Sequence, residues 1–263
     1  MCVRVISFIR KCCGNPLNRP NSRRREQAEQ GVRNRPVGEL RNQMFWLKLL
    51  TLFLPWFVRR RALNRFLGYK IHRDSRIGFA WVFPTHLIMD AHANIGHLTV
   101  CKGLTLLQMG EHAVIGRGNW ITGFPKESLK HFKHQPDRRP QLIMAEHSAV
   151  TNQHLIDCTS EVSIGAFATF GGFRSQVLTH SIDLEMCNES SAPIFIGKYC
   201  FVGTDCVLLG GSSLPDYCIL GAKSLLNKRY SETFWLYAGT PAKPVKRLAP
   251  ELAYFTRQVG AVE

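Results

Sequence analysis

The sequence predicts an all-β protein built as a parallel β-helix. Two observations carry this prediction. Aliphatic residues recur at every sixth position, at Ile196, Val202, Leu208, Leu214, Leu220 and Leu226, and glycine directly follows Ile196, Val202 and Leu220. A strict period of six fits neither the 3.6-residue repeat of a helix nor the alternation of a single strand. It is the period of a triangular coil of very short parallel strands, one hexapeptide to a side, with one aliphatic side chain per side pointing into a narrow axial core. The glycines suit tight bends where a Cβ would clash.

The same pattern continues upstream. Ile77-Gly78, Ile95-Gly96, Ile115-Gly116 and Ile164-Gly165 are further Ile-Gly pairs, and Phe170, six residues after Ile164, precedes Gly171. The coil is expected from about Ile71 to Asn227 with two interruptions. One spans roughly Phe124 to Gln141 and carries the charged stretch KESLKHFKHQPDRRP; the other runs from about Ser181 to Pro193. Long loops that leave a rigid solenoid are frequently functional.

Charge divides the chain differently. Residues 1–73 hold 17 Lys and Arg against Glu26, Glu29 and Glu39, a net of +14 in a chain whose total is +15. The basicity therefore belongs to an appendage and not to the coil. Residues 1–42 have the composition of a disordered arm. Residues 43–70 form an apolar and basic helical segment: Met44 to Val58 reads MFWLKLLTLFLPWFV, and Arg59, Arg60 and Arg61 follow. Fifteen helical residues reach only ~22 Å, short of the ~30 Å hydrocarbon core, and Pro55 interrupts them. Trp46 and Trp56 suit the headgroup boundary. The segment is expected to lie in an anionic membrane surface at the cytoplasmic face, or to cap the open end of the coil. Nucleic acid is not expected, because no reader motif accompanies the arginines. Residues 71–230 are then the coil and 231–263 a segment that closes it.

Nine cysteines match no zinc or CxxC spacing. Cys200, Cys206 and Cys218 fall inside the coil as small apolar residues, which argues for a reducing compartment. Cys2, Cys12 and Cys13 lie beside basic residues and are expected as unmodified thiols, with lipidation the alternative. No cleavage-like site marks a secretory signal. The protein is expected in the cytoplasm, peripheral at the inner face of the membrane.

Three motifs then stand out: THSID at Thr179–Asp183, APIFIGKYCFVGTDCVLLGG at Ala192–Gly211, and AGTPAKPVKRL at Ala238–Leu248. Together they resemble the hexapeptide-repeat acyltransferases, close to the maltose, galactoside and serine acetyltransferases and the polysaccharide O-acetyltransferases. The resemblance covers about residues 66–250. It implies a left-handed coil, against the usual right-handed crossover, a homotrimer with grooves between neighbouring coils, acetyl-CoA as co-substrate, a saccharide acceptor and no metal. His180 is by resemblance the general base, since an imidazole titrates near the operating pH. Asn152 is placed to bind the acceptor or the developing oxyanion, with a structural corner asparagine as the alternative. Asp157 and Asp183 are read first as solvated coil corners, with orientation of His180 through its other nitrogen as the functional alternative for either. Gly203, Gly221 and Ala222 are placed like the family's small residues along the pantetheine arm. Lys228, Lys243, Lys246 and Arg247 are candidates for the coenzyme phosphates.

A zinc site of the gamma-class carbonic anhydrase type is not expected. His92 and His97 have a suitable offset, but no third histidine falls where tetrahedral zinc needs one. His147 and His154 are the remaining histidines with a place near the acceptor. The open alternatives are an N-acyltransferase on an amino sugar and a non-catalytic scaffold at the membrane.

Overall fold

The computed structural model describes residues 46–127 and 131–260. The basic arm 1–42 lies outside them. The chain divides into an N-terminal unit up to Leu50, helical where it is described, and a unit from Thr51 onward that holds the coil.

From Lys70 to Leu226 the second unit winds as a parallel β-helix with three faces. The first face starts at Lys70–Ile71 and ends at Ser213–Leu214. The second starts at Arg76–Ile77, and the third runs from Trp81–Phe83 to Leu225–Leu226. A six-residue period on a three-sided coil stacks position i on i+18. Accordingly Ile196 pairs with Leu214, Val202 with Leu220, and Leu208 with Leu226. All six side chains are at most 3% exposed, so each contributes its full apolar surface to the axial core, about 1.5–3 kcal/mol apiece. Cys200, Cys206 and Cys218 are buried beside them. Burial pushes their thiols up, that of Cys218 to about 11.

The Ile-Gly pairs have a different cause from tight bending alone. A Cβ on Gly96 would lie 2.6 Å from the carbonyl carbon of Gly116, and one on Gly116 would lie 2.2 Å from Thr151 O. The next rung occupies the space that any side chain would need.

At the corner between the first and second faces, seven residues adopt left-handed backbone: His92, His112, His147, Phe167, Tyr199, Tyr217 and Phe234. Each costs ~1–2 kcal/mol in that region. Their rings stack in one column with centroids 4.6–5.4 Å apart, and stacked aromatic pairs return about 0.5–1.5 kcal/mol each. The C-terminal segment fastens onto this column. After the antiparallel pair Trp235–Gly239 and Ala242–Arg247, Phe255 packs edge-on against Tyr217 and Phe234. The Arg257 guanidinium covers Tyr254 at 3.9 Å and Tyr199 at 5.4 Å, and it donates to Phe167 O.

The other end is closed by α1 (Trp56–Phe66), which starts directly after Pro55. Leu63 is 1% exposed. Arg59 turns inward and donates to Gly78 O (2.8 Å) and Ala80 O (2.9 Å), carbonyls that have no further rung to bond. Burial brings its guanidinium down to about 10. Trp56 Nε1 donates to Ser75 O, and Asn64 pairs with both backbone groups of Ile71. The outer side of the segment keeps Phe53, Phe57 and Phe66 exposed. Among the described residues, no helix is long and apolar enough to cross a membrane.

Candidate functional site

Both interruptions of the coil leave from one corner, where the third face passes to the first. Residues 123–140 follow strand Trp120–Thr122, and residues 179–193 follow strand Gln176–Leu178. Between these two strands lies Leu155–Asp157, in a register that sets Asp157 between Thr122 and Leu178. The two excursions therefore enclose the end of the Asp157 strand.

The second excursion begins as an antiparallel hairpin, with His180 opposite Ser191 and Asp183 opposite Asn188. Asp183 Oδ1 accepts from the backbone N–H of Glu185 and of Met186, both at 3.0 Å. Its carboxylate holds the hairpin turn.

Asp157 is 5% exposed. Its Oδ1 accepts from the Thr159 hydroxyl at 2.6 Å, and its Oδ2 accepts from the Thr179 hydroxyl at 2.6 Å and the Thr179 N–H at 3.0 Å. A buried carboxylate is tolerated when donors surround it in this way. The same Oδ2 lies 2.8 Å from His180 Nδ1, a close ionic contact that does not meet hydrogen-bond geometry. The imidazole side chain is 36% exposed, so one edge of the ring is tied inward while the ring still reaches solvent.

The first excursion forms the wall beside this ring. Phe124 and Phe132 stand edge-on to it, with centroids at 5.5 and 6.1 Å. Arg138, 6% exposed, donates to Phe124 O (2.7 Å), Thr159 O (2.7 Å) and Pro125 O (3.0 Å) and lies over the Phe132 ring at 4.6 Å. Burial lowers its pKa, while Asp157, Glu127 and Glu189 oppose that shift. The two excursions are also joined directly. His131 Nδ1 sits 2.8 Å from the Glu189 carboxylate, and Gln135 exchanges hydrogen bonds with the backbone of Ser191.

The other sequence candidates lie elsewhere. Asn152 sits at the corner between the second and third faces, where its Oδ1 accepts from Arg117 N at 2.9 Å. Within one chain it does not meet His180. Gly203, Gly221 and Ala222 share that corner. A Cβ on Gly203 would lie 2.7 Å from Ala222 N, so rung stacking already requires that glycine. Lys228 lies on the same corner as His180, two rungs further on, with its ammonium 5.1 Å from the Tyr230 ring. Lys243, Lys246 and Arg247 lie on the last strand, where Arg247 covers Trp235.

Two histidines are accounted for by structure. His154 is 1% exposed; it accepts from Ser175 N and meets the Thr151 hydroxyl, and burial lowers it to about 4. It is a buried corner residue whose hydrogen bonds stay within the coil. His97 accepts from Phe79 N. Among the described residues, no group of three or more His, Cys, Asp or Glu could hold a metal ion.

Sequence reasoning missed Thr159, Thr179 and Arg138 as parts of the site. Thr179 had a signal, since it adjoins His180. Arg138 had none, because within KESLKHFKHQPDRRP it reads as one solvated charge among many.

No protein-family model matches this sequence, and no curated protein matches it. Solved structures do. A hexapeptide-repeat acetyltransferase from Vibrio cholerae O1 biovar eltor, complexed with acetyl coenzyme A, is 18% identical and matches with TM-score 0.41 over 81% of this chain and 89% of that one. A putative acetyltransferase from Bacillus cereus is 17% identical, with TM-score 0.42 over 70% and 80%. A point mutant of AntD, an N-acyltransferase from Bacillus cereus in complex with dTDP-4-amino-4,6-dideoxyglucose and coenzyme A, is 11% identical, with TM-score 0.43 over 72% and 89%. Likeness at this level transfers no residue roles.

Proposed function

We propose that the protein is a CoA-dependent acyltransferase that moves the acetyl group of acetyl-CoA onto a saccharide hydroxyl, with His180 as general base. The observation that carries this reading is the buried Asp157 carboxylate 2.8 Å from Nδ1 of a solvent-reaching His180, at the corner that both excursions enclose. A coil needs no buried acid–imidazole pair at its corner, whereas a hydroxyl nucleophile needs a base in a fixed tautomer.

Asp157 keeps the proton on Nδ1, which leaves Nε2 to take the acceptor's hydroxyl proton. The acceptor oxygen attacks the thioester carbonyl, and the tetrahedral oxyanion collapses with loss of the CoA sulfur. The imidazolium returns its proton to that thiolate, giving the acetyl ester, free CoA and neutral His180.

The candidate residues lie apart in one chain. Lys228 follows the His180 corner, Lys243, Lys246 and Arg247 lie on the last strand, and the coenzyme candidates Gly203, Gly221 and Ala222 share another corner with Asn152, the acceptor or oxyanion candidate. A homotrimer unites them, since its groove sets one corner of one chain against a different corner of the next. The exposed hairpin tip, with Ile182 69%, Leu184 89% and Met186 70% exposed, supports such a contact. On the closing helix, exposed Phe57 and Phe66 beside Arg61 and Arg65, with exposed Phe53 in the turn before it, support docking on an anionic membrane at its cytoplasmic face. The product would then be a membrane-linked glycan or its precursor.

Mass spectrometry of cell-surface glycans with and without the protein tests this reading. One set of glycans should lose the mass of one acetyl group per site when the protein is absent; identical spectra would refute saccharide acetylation. An amine in place of a hydroxyl acceptor would appear as a lost amide instead of a lost ester, separable by mild alkali.

A further inference from the structure

The enclosed corner has a second side. Beside the hairpin that carries His180 lies a cavity of about 340 Å³, lined by Gln135, Asp137 and Arg139 of the first excursion, Glu161 of the corner and Phe195 of the first face. That volume is within the ~300–1,000 Å³ of small-molecule sites. A chain of hydrogen bonds links the lining of the cavity to the carboxylate beside the imidazole. Gln135 Oε1 accepts from the Ser191 hydroxyl (2.9 Å), which meets the Ser160 hydroxyl (2.8 Å); Ser160 N donates to Thr179 Oγ1 (3.0 Å), and that hydroxyl donates to Asp157.

The lining has a particular chemistry. Phe195 is 40% exposed, and its neighbours in the same outward row are Ser163 and Ser213. Small residues on both sides leave its ring face uncovered. Around it stand planar polar groups: the Gln135 amide, the Glu161 carboxylate, which takes a 2.6 Å bond from Gln141 and lies 3.7 Å from Arg139, and Asp137. Two acids oppose Arg138 and Arg139, and Arg138 is already committed to three carbonyls. The site is thus close to neutral and disfavours a phosphate. An open aromatic face surrounded by planar hydrogen-bonding groups fits the apolar face and equatorial hydroxyls of an uncharged pyranose.

We infer that this cavity is a subsite for a second, uncharged sugar residue of the acceptor, so that the enzyme acts on an oligosaccharide. The inference rests on the acyltransferase reading for what happens at His180, but not for binding. Isothermal titration of the full chain, without acetyl-CoA, against glucose-, galactose- and N-acetylglucosamine-based saccharides of one to four residues tests it. At least one series should bind about tenfold tighter at two residues than at one, and Phe195→Ala or Glu161→Gln should erase that gain without lowering the melting temperature. A flat series in the wild type, or a gain that survives both substitutions, overturns the subsite. Acetyl-CoA turnover with a flat series removes the subsite alone; a Phe195-dependent gain without turnover removes the acyltransferase reading and keeps the subsite.

Discussion

Asp157 Oδ2 lies 2.8 Å from His180 Nδ1 while accepting from both the hydroxyl and the backbone N–H of Thr179. One buried oxygen thus fixes the residue before the imidazole and the imidazole itself. Asp157→Asn keeps the shape but turns one acceptor into a donor that faces the donors of Thr159 or Thr179. It should cost about 1–3 kcal/mol of stability and lower kcat by about 10²–10⁴, with acetyl-CoA affinity unchanged. Steady-state kinetics beside urea denaturation check both effects, and a variant with wild-type kcat would show that the carboxylate only holds the corner.

Rung stacking makes some glycines irreplaceable and others not. Gly96→Ala places a Cβ 2.6 Å from the Gly116 backbone and should cost about 3 kcal/mol or more, as overpacking against main chain does. Gly68 has open space within 4 Å and φ +67, so Gly68→Ala should cost only about 1 kcal/mol, the left-handed penalty. Equal losses in chemical denaturation would contradict the stacking explanation.

His154 gives the fold a pH dependence of known sign. Burial holds it near 4 in the folded chain against 6.5 as the ordinary value, so as pH falls the unfolded chain takes up the proton first. The stability that neutral His154 contributes is full above about pH 6.5 and is lost as pH falls toward 4, with a slope of up to about 1.4 kcal/mol per unit. Unfolding free energies of the wild type and His154→Gln, compared across this window, should converge at low pH. Parallel curves would exclude His154 as the source.

The hairpin tip tests assembly. Leu184 and Met186 contribute little to their own chain, being 89% and 70% exposed. The double substitution Leu184→Glu and Met186→Glu should leave the melting of the isolated coil intact, shift sedimentation from trimer to monomer and abolish turnover. A trimer that persists would place the interface elsewhere.

The period-six register made the coil legible because each core position must be aliphatic and each rung must clear the next. Ile196 through Leu226 occupy the axis as the spacing requires. The corners were less legible. The stack from His92 to Phe234 is built from three residue types with no fixed spacing, since excursions intervene between rungs. Part of the candidate site was legible too, because THSID holds His180 and the Thr179 that meets the same carboxylate. Asp157 lies a full rung earlier, and only the register reveals which of Asp157 and Asp183 faces the imidazole. Arg138 was illegible for a physical reason: a buried arginine and a solvated one look alike until the carbonyls it satisfies are in place.

The most direct measurement is thiol release from acetyl-CoA, in the presence of neutral saccharides, by the wild type and by His180→Ala of equal melting temperature. The wild type should release CoA with at least one saccharide, and the variant should bind acetyl-CoA equally well yet release none above background. Release by His180→Ala at the wild-type rate would contradict the assignment of His180 as the base.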